Sequence, residues 1–210
     1  MYLPSSEKLP KKLNRHMSVT FFGSAQVSPS SFYYRAARDL SFELSQQGFS
    51  IVTGGGPGIM EAANKGAWNA GGLSRGVLMD IPDQPANLFC SRGQQTQCSS
   101  FSERKKELIS KSEAFIFFPG GFGTLDELFE LFVYIRTGII KKKPTILFGK
   151  DFWEGLILWV RQFLRKDNYI YDEDLEIFEI FNTVEETCLF LIRELNFKDE
   201  KVSFSFYEQK

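Results

Sequence analysis

Apolar positions along the chain alternate between two periods, and that alternation predicts the architecture. Short apolar runs at Val19–Gly23, Phe49–Thr53, Ser74–Met79, Ala114–Phe118 and Thr145–Phe148 have the length and side-chain type of buried strands. Between the first two, Ser30 to Gln47 carries helical periodicity through Tyr34, Ala37, Leu40, Phe42 and Leu44, and Gly48 stops the helix. A second helix is predicted from about Gly58 to Asn69, with Pro57 at a first helical position and Gly71-Gly72 ending it. Phe101–Lys111, Thr124–Thr137, Trp153–Arg165 and Val184–Leu195 carry the same periodicity, while Ile177–Phe181 reads as an ambiguous extended piece. The stretch Ile81–Ser99 is long, weakly patterned and rich in Gln, Ser, Pro and Asn, the profile of a functional cover or binding loop. The tail after Phe197 alternates polar and aromatic residues and fits neither period.

Strands that alternate with helices and are apolar throughout predict an α/β fold: a Rossmann-like, doubly wound parallel sheet in three layers. We expect a single domain over residues 17–196, preceded by a polar leader (1–16) and followed by a C-terminal tail (197–210). In such sheets ligands bind beyond the carboxyl ends of the strands, where strand order reverses. Three strands end in glycine, at Gly23, at Gly54 and just after Phe118, so their turns are expected on one edge of the sheet.

The chemistry concentrates in those turns. Phe117 to Glu127 runs from a strand through Pro119-Gly120-Gly121-Phe122-Gly123 into a helix that opens on Thr124-Leu125-Asp126-Glu127. A glycine turn feeding a helix presents unpaired N–H groups and a positive dipole end, which suits a phosphate. Neither this turn nor Gly54-Gly55-Gly56-Pro57-Gly58 has a P-loop lysine, and neither fits G-x-G-x-x-G, because Ile59 and Asp126 stand where the last glycine would be. Glu127 has a structural explanation as well: Thr124 to Glu127 reads as a capping box, with Thr124 at the N-cap. Ser100 to Glu103 reads as another, which sets Arg104, Lys105 and Lys106 early in a helix. Cations there oppose the macrodipole by roughly 0.3–1 kcal/mol each. They form either a solvated basic face or an anion site shared with the Gly120–Thr124 turn.

Composition narrows the chemistry. With 25 basic and 26 acidic residues, no net charge points to nucleic acid, and no apolar run reaches the roughly 20 residues of a membrane span. Residues 1–17 lack the apolar core of a secretory signal, so the cytoplasm is the expected compartment. The three cysteines, Cys90, Cys98 and Cys188, lack C-x-x-C spacing, and the one histidine, His16, lies in the polar leader. No structural metal site is expected, and catalysis is expected to run on carboxylates, Arg or Lys.

The run Thr53-Gly54-Gly55-Gly56-Pro57-Gly58-Ile59-Met60-Glu61-Ala62-Ala63-Asn64, then Arg104-Lys105, then Pro119 to Glu127, resembles the Lonely Guy (LOG) family from about Met17 to Leu195. Leu128–Gly149 and Asp151–Arg161 look like its longer, bacterial-type branch. Members are cytokinin riboside 5′-monophosphate phosphoribohydrolases, many under an old lysine decarboxylase label. The resemblance implies hydrolysis of a nucleoside 5′-monophosphate to free base and ribose 5-phosphate, without a cofactor. It implies that Gly120, Gly121, Gly123 and Thr124 hold the phosphate and that Arg104 and Glu127 are the catalytic pair. Lys105 and Asp126 match positions lining the nucleotide site. Gly23, Ser24, Gly54, Gly55 and Gly56 would shape the rest of the pocket, with Met60 near it. It also implies a homodimer or larger assembly, to which the many-sided apolar helices Leu125–Thr137 and Trp153–Arg165 lend support. Ser102 stands where many plant-type members have His, and the Ile81–Ser99 loop differs from theirs, so the choice of base transfers least. A non-catalytic nucleotide or cofactor carrier of the same fold is the rival. Decarboxylation would need a lysine that binds pyridoxal phosphate, and no motif marks one.

Overall fold

The computed structural model describes residues 17–82 and 84–204. The polar leader with His16, and residues 205–210, lie outside them. Strands β1 (Ser18–Phe22), β2 (Ser50–Thr53) and β3 (Ser74–Leu78) alternate with helices α1 (Phe32–Gln46) and α2 (Ile59–Asn69). A short strand β4 (Gln95–Gln97) then precedes α3 (Phe101–Ser110), β5 (Ala114–Phe117), α4 (Phe122–Arg136) and β6 (Thr145–Phe148). Helix α5 (Lys150–Trp159) continues as a π-helical segment to Arg165, a 3-10 turn follows at Asp172–Glu176, and β7 (Glu179–Phe181) and α6 (Val184–Phe204) complete the order.

All the strands pair in parallel in one seven-stranded sheet of order β4-β3-β2-β1-β5-β6-β7. The chain winds outward from β1 to β4, returns to the other side of β1 with β5, and winds outward again. Strand order therefore reverses between β1 and β5, where Ser24 N–H donates to Pro119 O at 3.1 Å.

Period-two alternation divides the core into two layers. Val19, Phe21, Ile51, Ile116 and Phe148 pack with α1, α2 and α6. Phe22, Val52, Phe115, Phe117 and Leu147 face Leu108, Leu128 and Trp153 on α3, α4 and α5. The three-layer expectation is met, since parallel strands buried on both faces need helices on both sides.

Several local readings need correction. Pro57 is not in the helix: α2 starts at Ile59, with Gly58 as N-cap at φ +67°. A side chain on Gly58 would also place its Cβ 2.3 Å from Ser24 O, so the turn closes on β1's loop only with glycine. The Ile81–Ser99 stretch contains β4, whose exposed Gln-Thr-Gln sequence carries no strand signal of its own. The last of the α5 stretch is π-helical rather than α-helical, and the residues after Phe197 continue α6.

Candidate active site

The carboxyl ends of β1, β2 and β5 surround a cavity of about 510 Å³ at the point where strand order reverses. Ser24, Gly54, Met60, Arg104, Thr124 and Glu127 line it, with Gly23, Gly121 and Gly123. These sequence-predicted residues, far apart in the chain, converge on one space.

Helix α4 starts earlier than its sequence predicts. Gly121 is its N-cap, without a side-chain cap bond, and Phe122 is the first helical residue. The first intrahelical bond runs from Leu125 N–H to Gly121 O at 3.0 Å, so the N–H groups before it are not bound within the helix. The capping box at Thr124–Glu127 is thereby overturned. Thr124 lies in the first turn and Glu127 one turn further on, both on the face that meets the cavity. The glycines let the helix begin straight from the strand, and the capping explanation for Glu127 falls away.

Glu127 is partly buried, and the loss of solvent around its carboxyl raises its pKa to about 7. Arg104 and Lys105 pull it back down, while Asp126 and Glu130 push it further up. Glu127 therefore changes charge near neutral pH, the range in which a carboxyl can act as either acid or base.

The first turn of α3 holds Arg104. Ser100 caps this helix by accepting from Glu103 N–H at 3.2 Å, while the Glu103 carboxylate accepts from Ser99 N–H at 2.7 Å. Half of the predicted capping box is present, and its return bond is displaced by one residue. Arg104 is 7 % exposed, which rules out the solvated basic face for this residue. Its Nε donates to Val77 O and its Nη2 to Gly54 O, each at 3.0 Å, and Nη1 has no acceptor among the described residues. Burial lowers the guanidinium pKa and the nearby Glu127 charge opposes that shift. A Cβ on Gly54 would lie 1.8 Å from Nη2, so glycine makes room for this cation.

Lys105 and Asp126 are placed differently. Lys105 pairs with Asp126 at 2.9 Å and also with Glu130, and Tyr134 donates to Glu130 in turn. This chain of charges links α3 to α4 beside the cavity, and neither Lys105 nor Asp126 is among its lining residues.

A second lobe of about 340 Å³ adjoins the first and shares Gly54, Ile81, Gln84 and Arg104 with it. Gly55 and Gly56 lie on this lobe, together with Leu78 and Pro85. A buried amide network holds its wall. Asn64 Oδ1 accepts from Thr53 Oγ1 at 2.6 Å and from Asn87 Nδ2 at 2.9 Å, while Asn64 Nδ2 donates to Ser74 Oγ at 2.8 Å. Asn87 also donates to Gly56 O through Nδ2 at 2.9 Å and to Gly55 O through its backbone N–H at 2.8 Å. Sequence reasoning missed Asn64, Asn87 and Gln84. A signal existed for Asn64, a polar residue on the apolar stripe of α2 beside Ala63 and Ala67. Asn87 carries no local signal, because its partners are remote in sequence.

With this geometry in view, the similarities to known proteins gain meaning. Residues 60–189 match the family model described as "Possible lysine decarboxylase". The probable cytokinin riboside 5′-monophosphate phosphoribohydrolase LOGL3 of Oryza sativa subsp. japonica is 32 % identical over 69 % of this chain and 69 % of its own length. The cytokinin riboside 5′-monophosphate phosphoribohydrolase LOG3 of Arabidopsis thaliana is 33 % identical over 73 % of this chain and 71 % of its own. Among solved structures, the molybdenum cofactor binding protein of Rippkaea orientalis superposes with a TM-score of 0.65 at 21 % identity, covering 87 % of this chain and 99 % of that one. At that identity the likeness speaks for the fold alone. The family model spans Arg104, the Gly120–Gly123 turn and Glu127 together, and the chain belongs to the LOG family, whose model bears the possible lysine decarboxylase description.

Proposed function

We propose that this chain hydrolyses the N-glycosidic bond of a nucleoside 5′-monophosphate, releasing free base and ribose 5-phosphate. One observation carries the reading: Glu127, with a pKa near 7, and the buried Arg104 line the same cavity as the uncapped start of α4. The N–H groups of Phe122, Gly123 and Thr124 and the Thr124 hydroxyl would take the phosphate and fix the ribose. Departure of the base leaves an oxocarbenium-like sugar. The Glu127 carboxylate stabilises that cation and accepts a proton from the attacking water, and one proton passes to the base, which left with the glycosidic electron pair, so that water ends as the ribose hydroxyl and the base N–H. Arg104 Nη1, without an acceptor among the described residues, orients the nucleotide. Adenine or an N6-modified adenine is the favoured base, following the plant relatives' names.

The rival reading, a cofactor carrier, draws on the fold shared with the molybdenum cofactor binding protein. A carrier needs the phosphate turn but has no use for a carboxyl that titrates near neutrality. Ribose 5-phosphate release from a panel of nucleoside 5′-monophosphates tests the proposal. Turnover by the wild type, with loss in Glu127→Gln and Arg104→Ala of intact fold, is the expected result. Nucleotide-induced thermal stabilisation without any release would instead favour the carrier.

We further infer a homodimer. Phe129, Val133, Leu158 and Trp159 on α4 and α5 are between 37 % and 52 % exposed, an apolar face that a second copy would cover. Among the described residues no helix is long and apolar enough to cross a membrane. Sedimentation velocity tests the assembly, and a monomer at micromolar concentration would refute it.

A further inference from the structure

We propose that Gln84 is the residue by which this chain recognises the base, through the amino edge of an adenine-type ring in the second lobe. The inference rests on the phosphoribohydrolase reading, and it starts from the shape of the cavity. With the phosphate at the start of α4 and the scissile bond beside Glu127 and Arg104, the base must extend past Arg104. The second lobe opens there, because Arg104, Gly54, Ile81 and Gln84 border both lobes.

The lobe suits a planar ring. One wall is the bare backbone of Gly54–Gly56, and Leu78, Ile81 and Pro85 supply apolar surface around it. A Cβ on Gly55 would sit 2.1 Å from Leu78 Cδ2, so glycine there lets Leu78 pack directly against the wall as part of the apolar lining. Binding sites of this kind combine apolar walls with a few polar groups that fix orientation.

Gln84 is such a group. Its side-chain amide has no hydrogen-bond partner among the described residues, whereas the nearby Asn87 amide is bound on both atoms. Its Oε1 lies 4.0 Å from the position a Cβ would take on Gly56, which sets the carboxamide against the glycine wall. A carboxamide offers an acceptor beside a donor, the complement of an amino group beside a ring nitrogen on adenine. The segment carrying it is already held in place. Gln84 N–H donates to Ile81 O at 3.2 Å, and Asn87 fastens the following residues to Gly55 and Gly56. The backbone therefore loses little freedom when the amide engages a base.

The test compares AMP with purine riboside 5′-monophosphate, which lacks the amino group, in the wild type and in Gln84→Leu. Both kcat/KM for ribose 5-phosphate release and Kd by titration calorimetry are measured. One hydrogen bond of ordinary strength predicts that the AMP-over-purine ratio falls about tenfold from wild type to variant. If both nucleotides weaken in proportion and the ratio holds, Gln84 has only a structural role and the proposal is overturned. If no release occurs but the Kd ratio still collapses in the variant, base recognition by Gln84 stands and the hydrolase reading falls. Failure of the wild type to bind either nucleotide overturns both.

Discussion

Gly54→Ala should disable the site by moving one cation while the fold survives. Gly54 is not among the glycines with positive φ, so alanine meets no backbone penalty there. Its methyl carbon would, however, stand 1.8 Å from Arg104 Nη2 and 2.8 Å from Cζ. Regaining ordinary contact moves the guanidinium by roughly 1.5–2 Å. The 3.0 Å bond to Gly54 O would break and the Nη1 donors would be re-aimed. Misplacing a positioning group by ~1 Å costs on the order of a hundredfold, so kcat/KM should fall about 100-fold, or about 2.7 kcal/mol. The assay is steady-state release of ribose 5-phosphate from AMP, with thermal unfolding as the check on folding. A double-mutant cycle isolates the cause. In an Arg104→Ala background, Gly54→Ala should cost no more than about threefold, since the group it displaces is already gone. Equal losses in the two backgrounds, or full activity in the single variant, would refute the link between the glycine and the arginine.

Other expectations follow from the same geometry. Burial raises the pKa of Glu127 from its ordinary value of 4.5 to about 7, so the folded chain binds the extra proton between those pH values. The stabilisation is full below about pH 4.5 and is lost as pH rises to about 7, and Glu127→Gln should flatten that decline in a series of thermal melts. Because Arg104 holds the Glu127 pKa down, Arg104→Ala should shift the alkaline-going limb of this stability curve to higher pH; an unmoved limb would show that the two charges do not interact. Asn87→Ala strips Asn64 Oδ1 and Gly56 O of a buried donor and should cost about 2 kcal/mol in urea unfolding. A change below about 0.5 kcal/mol would mean that the network does not hold the wall.

Much of the fold was legible because its signals are local. Apolar runs such as Phe115 to Phe117 are buried on both faces, and the stops at Gly48 and Gly71 mark helix ends. The convergence of Gly23, Gly54 and the Pro119–Gly123 turn follows from parallel strands sharing one carboxyl edge. Helix starts were less legible. Thr124 and Glu127 have capping-box spacing, but the preceding glycines move the N-cap of α4 three residues earlier, from Thr124 to Gly121, and periodicity alone does not register that choice. Lys105 was placed with the nucleotide, yet its charge is occupied by Asp126 and Glu130 on the adjacent helix, a pairing visible only once α3 and α4 are side by side. Strand β4 and Asn87 escaped for a related reason, since each owes its place to partners beyond the local sequence.

Strand β4 also has a consequence for how the site can change. A connection from Ile81 to Ser99 would behave as one long loop were it free, but Asn87 anchors it to the glycine wall and Gln95–Gln97 zips onto β3. Two anchors divide it into short spans, and loop-closure entropy rises by only about 0.6 kcal/mol for each doubling of a flexible span. Residues 81–86 are thus an exchangeable cassette bounded by fixed points. Substitutions and even small insertions there are cheap for the fold, while the segment borders the second lobe directly. Under the proposed reading of the second lobe, a directed library confined to those positions would retune the choice of base and leave the Arg104–Glu127 end untouched.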